Sequence, residues 1–142
     1  MIGVQVITGA VGEELGWRGY LLPRLRLHLG ALGAAWTMAV LWSLWHLPAF
    51  FTPGMPHRTM PMIWALLTVL FFGVFLAYVF FRGGESIWAP LLAHLSFNIM
   101  SGLGGAQLSS VVFWRTLAGA LAAVAFITLV VSRQRTPRVA TA

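Results

Sequence analysis

The chain of 142 residues has no cysteine, no lysine and no aspartate. Without cysteine there is neither a disulfide framework nor a thiolate metal site. Acidic residues number three, and Glu13 and Glu14 are two of them. Charged residues make up 8% of the sequence and hydrophobic ones 59%, whereas a soluble domain carries about 25% charged residues. So little charge cannot cover a water-facing surface, and the composition is that of a membrane protein. The net charge of +6 comes entirely from arginine. Those arginines are scattered through loops and the tail rather than gathered on one face, which argues against nucleic acid as a partner. No basic segment precedes the first apolar run, so the start does not read as a cleavable signal. The apolar runs are continuous rather than alternating, which argues against a transmembrane β-barrel.

A membrane-crossing helix needs about 20 predominantly apolar residues. Five segments approach this length: Ile2 to Leu22, Leu32 to Phe51, Met60 to Phe81, Ser86 to Leu103 and Ser110 to Val131. The expected fold is an all-α, polytopic membrane helix bundle of about five transmembrane segments. Residues 1–135 form one membrane-embedded domain, and 136–142 a flexible basic tail. Pro23 is expected to end the first segment, since it cannot continue the hydrogen-bond ladder. The clusters Thr52-Pro53-Gly54-Met55-Pro56 and Arg82-Gly83-Gly84-Glu85 read as turns. Arg24 and Arg26 fall in the first loop, Arg82 in the third, and Arg133, Arg135 and Arg138 in the tail. If all segments cross, these lie on one side, and the positive-inside rule makes that side cytoplasmic. The C-terminus is then cytoplasmic and the N-terminus outside.

Ionisable groups inside membrane helices are functional candidates, because each is costly to bury. Glu14 and Arg18 are four residues apart, so they share a helix face and can pair. Glu13 points about 100° away, towards the face of Trp17. It has no partner on its own helix, which makes it the better general-base candidate. Thr8, Gly12 and Gly16 form a small-residue ridge, expected to let neighbouring helices approach and to centre the glutamate helix in the bundle. His46 lies near the end of the second segment, with Trp42 one turn before it on the same face. His94 and Asn98 share a face of the fourth segment, where an imidazole and an amide can orient water or stabilise an oxyanion. Each cluster alone could equally be interhelical glue. His28 and His57 read as solvated loop residues, and Glu85 as a loop or helix-start charge favoured by the helix dipole.

Three motifs in order, each on its own apolar segment, resemble the CPBP family of membrane proteins. This family comprises CAAX-prenyl endopeptidases and bacteriocin-protection proteins, also called Abi proteins. The strings that carry the resemblance are Glu13-Glu14-Leu15-Gly16-Trp17-Arg18-Gly19-Tyr20-Leu21-Leu22-Pro23-Arg24-Leu25, Leu44-Trp45-His46-Leu47-Pro48, and His94 with Asn98. They lie within residues 9–99. The family usually has phenylalanine where this chain has Trp42. Its members usually carry several further spans before the Glu-Glu motif, so the resemblance implies a catalytic core without its usual upstream helices.

The resemblance implies an intramembrane endopeptidase of the bacterial cytoplasmic membrane, acting on membrane proteins or lipidated peptides in contact with membrane lipid. Glu13 would activate water and His46 would help to position or deprotonate it. His94 and Asn98 would hold the oxyanion, and Glu14 and Arg18 would form a supporting pair. That chemistry needs no cofactor. A zinc-dependent version is the alternative, with Glu13, His46 and His94 as ligands and an open position for water. Two rivals lie outside hydrolysis. One is a non-catalytic immunity or scaffold protein, in which the polar residues are glue. The other is a proton-conducting bundle, disfavoured by the apolar third and fifth segments.

Overall fold

A computed structural model describes residues 9–103 and 109–134, and the tail at 136–142 and Thr8 lie outside them. All regular structure among the described residues is helical. Backbone is helical at residue 9, the first described, and passes without interruption through Pro23. Just before the proline, Leu15–Leu21 is wound as a π-helix, and the Leu22 amide bonds back to the Trp17 carbonyl. A proline inside a regular helix clashes with the carbonyl four residues earlier. The wider π turns relieve that clash, so the expected break at Pro23 does not occur. The corner comes at Gly30, whose φ of 67° and ψ of 173° interrupt the run Leu22–Trp45. Positive φ is open to glycine at no steric cost. The first helix, α1, therefore covers residues 9–29, and α2 covers 31–45. Arg24 and Arg26, expected in a loop, are on the last turns of α1.

Two short 3-10 helices, Leu47–Phe50 and Pro56–Thr59, connect α2 to α3, which spans Met62–Arg82. Next come α4, Trp88–Leu103, and α5, Val111–Gln134. The order of helices follows the five apolar segments, and the chain is an all-α membrane helix bundle. Among the described residues, the runs Gly9–Phe50 and Met62–Arg82 are long and apolar enough to cross a membrane, with a shorter apolar helix at Val111–Phe126. The 16 residues of α4 extend about 24 Å at 1.5 Å per residue, less than the bilayer core of about 30 Å.

The centre of the bundle is α3, packed between α2 and α5 and touching α4. Ala34, Ala35, Met38 and Ala39 of α2 meet Val74, Ala77 and Phe80 of α3, with Ala125 of α5. The close approach is at Gly73, where an added Cβ would lie 3.0 Å from Ala39 Cβ and 3.1 Å from the Trp42 ring. The expected ridge on α1 does not do this work. Gly12 and Gly16 are exposed, with nothing within 4 Å of an added Cβ. The inward face of α1 is instead Ala10, Glu14, Arg18 and Leu22, each 0% exposed. Arg26 of α1 forms an ion pair with Glu85 before α4. This pair places the expected first and third loops on the same side of the bundle. Both partners are largely exposed, so the pair contributes at most about 1 kcal/mol.

Candidate functional site

The two glutamates are held by different partners. Glu14 Oε1 accepts a hydrogen bond from Arg18 Nη1 at 2.8 Å. The same oxygen accepts from His94 Nδ1, also at 2.8 Å. All three side chains are buried. The i to i+4 pairing on α1 is readable from spacing, but the bond to His94 joins residues 80 apart and follows only from packing. Phe72 of α3 stacks on Phe97 of α4 at 4.6 Å, and its ring lies 6.2 Å from His94. That aromatic contact seats α4 so that His94 reaches Glu14. Arg18 Nη2 and Nε and Glu14 Oε2 have no hydrogen-bond partner among the described residues. The guanidinium lies 4.3 Å from the Trp42 ring centroid, an arrangement in which the aromatic face attracts the cation.

Glu13 forms no ion pair among the described residues. It is half-buried, and its Oε2 accepts a hydrogen bond of 2.7 Å from the Trp42 indole nitrogen. Its partner is thus on α2 rather than on its own helix. A phenylalanine at this position would have no N–H to offer.

Trp42 is also the common neighbour of the two motif histidines. Its ring centroid lies 5.4 Å from His46 and 5.2 Å from His94, both edge-on. His46 Nδ1 donates to the Trp42 carbonyl at 2.8 Å. A carbonyl and a carboxylate only accept, so the hydrogen bonds place a proton on Nδ1 of His46 and of His94. In neutral His46, Nε2 then carries the free lone pair. Asn98 is half-buried one turn beyond His94 on α4, and its amide makes no hydrogen bond among the described residues.

His57 differs from expectation. It is half-buried rather than solvated, on the 3-10 turn Pro56–Thr59, with its ring 6.1 Å from His46 and 5.4 Å from Phe50. Burial pushes its imidazole below the usual 6.5, His46 pushes the same way, and the charge of Glu13 acts against both. Nothing local in the loop sequence signals this inward turn. His28 is exposed on α1, as expected of a solvated residue, though it is helical. Among the described residues, no three histidine, aspartate or glutamate side chains converge closely enough to hold a metal ion. His94 has its Nδ1 committed to Glu14, which leaves Nε2 as its free nitrogen.

The fold and the cluster together define a class, a membrane helix bundle with carboxylates, imidazoles and a guanidinium gathered inside it. Residues 1–100 match the family described as Type II CAAX prenyl endopeptidase Rce1-like, and the chain belongs to that family. It is similar to CAAX prenyl protease 2 of Methanococcus maripaludis, with 27% identity over 100 residues, covering 66% of this chain and 37% of that protein. The chain thus spans little more than a third of the length of this relative. No solved structure matches it. The match contains all the motif residues, from Glu13 to Asn98.

Proposed function

We propose that this chain carries the catalytic core of an intramembrane endopeptidase in which Glu13 is the general base. The observation that supports this best is the position of Trp42, which bonds Glu13 and lies against both His46 and His94. Motif residues from three helices thereby share one side chain. Glu13 takes a proton from water as the water oxygen attacks the scissile carbonyl, and His46 Nε2 accepts the water's other hydrogen as a hydrogen bond. The carbonyl oxygen becomes an oxyanion, held by His94 and by the Asn98 amide. The proton then passes to the leaving nitrogen and the C–N bond breaks.

In this scheme His94 donates from both nitrogens, Nδ1 to Glu14 and Nε2 to the oxyanion, so it acts as an imidazolium. Glu13, Glu14, Arg18 and His94 then sum to zero charge, which suits an apolar interior. Glu14 and Arg18 support by orienting and balancing His94. The substrates are peptides embedded in or lipid-anchored to the bilayer, and the protein sits in a bacterial cytoplasmic membrane with its C-terminus on the cytoplasmic side. The scaffold reading draws on the same Glu14–Arg18–His94 cluster, which could serve as glue alone.

The test is cleavage of membrane-embedded and lipidated peptides by the purified protein in vesicles, with and without a strong chelator. Cleavage that survives chelation is expected. Cleavage lost to the chelator and restored by zinc would replace the metal-free scheme by one in which the site rearranges around a metal. No cleavage of any peptide would favour the scaffold reading. The variant Trp42→Phe separates the indole N–H from the ring. It is expected to melt near the wild-type temperature and to cleave about 10–100-fold more slowly, the scale of a misplaced reacting group. A wild-type rate would show that the bond to Glu13 is dispensable.

A further inference from the structure

The scheme above uses His46 and His94 but leaves His57 unused, although it is the histidine that the fold draws inward from a loop. Its Nδ1 is buried with no hydrogen-bond partner among the described residues. A buried nitrogen left unpaired is costly, and each such group in a native structure calls for an explanation. The neighbours suggest one. His46, 6.1 Å away ring to ring, has Nδ1 committed to the Trp42 carbonyl, which leaves Nε2. Glu13 has Oε2 committed to the Trp42 indole, which leaves Oε1. The Glu13 carboxylate is near enough for its charge to act on His57. Arg58, the adjoining cation, is exposed. The unfilled nitrogens of His46 and His57, from the end of α2 and the 56–59 turn, are thus neighbours, and Glu13 is bonded to the Trp42 ring that packs on His46. A buried water takes about two to four polar partners.

We propose that His57 is a third holder of the hydrolytic water, bonding it through Nδ1 beside Glu13 and His46. This rests on the peptidase reading of the same site. The water donates one hydrogen to Glu13 Oε1 and the other to His46 Nε2, and accepts from His57 Nδ1–H. Its remaining lone pair is free to attack. When Glu13 takes its proton, His57 keeps its own and stabilises the incipient hydroxide as a neutral donor. A neutral His57 is what its burial favours.

Two variants and a spectrum test this. His57→Phe keeps a ring against Phe50 and removes the nitrogen, while His57→Asn restores a donor near the position of Nδ1. On a peptide that the wild type cleaves, His57→Phe is expected to lower kcat by up to about 100-fold with KM little changed, and His57→Asn to recover most of the loss. Equal kcat for His57→Phe and wild type overturns the proposal and leaves the role of Glu13 standing. A wild type that cleaves nothing overturns the peptidase reading instead. For that outcome, nitrogen NMR of the full chain in lipid nanodiscs reads His57 directly. It should be neutral and Nδ1-protonated at pH 7, and its resonances should move in Glu13→Gln. Unmoved resonances, or an imidazolium at pH 7, reject the shared water whatever the cleavage assay gives.

Discussion

Replacing Glu13 with glutamine is expected to give a folded protein whose cleavage rate falls by about 10²–10⁴-fold, the contribution of a positioned general base. Glutamine keeps the length of the side chain and an oxygen to accept the Trp42 N–H. It removes only the ability to take a proton. Glu13 is half-buried and forms no ion pair among the described residues, so little folding energy depends on its charge. The variant should therefore separate chemistry from stability. Single-turnover cleavage in vesicles gives the rate, and thermal melting in the same lipid gives the fold. A melt that collapses together with the rate would assign Glu13 a structural role instead.

Glu14 has the opposite expectation. With Glu14→Gln, Arg18 becomes a fully buried cation without its carboxylate, since both side chains are 0% exposed. Removing one partner of such a pair costs about 3–5 kcal/mol. His94 loses its acceptor in the same step. Equilibrium unfolding in mixed micelles should show a loss of that size. The double variant Glu14→Leu with Arg18→Met should recover much of it, because two apolar side chains leave no guanidinium buried without its carboxylate. A double-mutant cycle then gives the coupling between the two sites. If Glu14→Gln unfolds at the wild-type midpoint, the buried pair is not what holds α1 in place.

The contrast between adjacent glutamates is partly legible in the amino-acid sequence. Residues four apart share a helix face, so the pairing of Glu14 with Arg18 follows from spacing alone. The same periodicity explains why Ala10, Glu14, Arg18 and Leu22 form the buried stripe of α1. Hydropathy likewise locates α3, expected at Met60 to Phe81 and found at Met62–Arg82. Packing between distant segments leaves no such local trace. Glu14 meets His94 because Phe72 and Phe97 stack, and no local pattern encodes that contact. His57 turns inward through its contact with Phe50, although its loop carries ordinary turn residues.

Two local rules are also overridden. Pro23 is a helix breaker by its chemistry, but the π-helical turns at Leu15–Leu21 absorb the ring and let the helix continue. The break passes to Gly30, where a left-handed backbone costs least. The small-residue ridge at Gly12 and Gly16 points to close helix contact, yet that surface is open and the tight crossing belongs to Gly73. A glycine pattern shows where helices are able to approach, while the surrounding bulk decides where they do. The Trp42 bond to Glu13 belongs to the same category. The aromatic is visible as part of a motif, but its nitrogen finds a partner only once α1 and α2 are packed together.

The central claim is that adjacent glutamates divide the labour, Glu13 for chemistry and Glu14 for structure. The most direct measurement is the cleavage rate per folded molecule for wild type, Glu13→Gln and Glu14→Gln, taken in one vesicle preparation on one peptide. The account predicts that Glu13→Gln is fully folded and nearly inactive. It predicts that Glu14→Gln loses most of its folded population while the molecules still folded cleave faster than Glu13→Gln does. Undiminished cleavage by folded Glu13→Gln would contradict it.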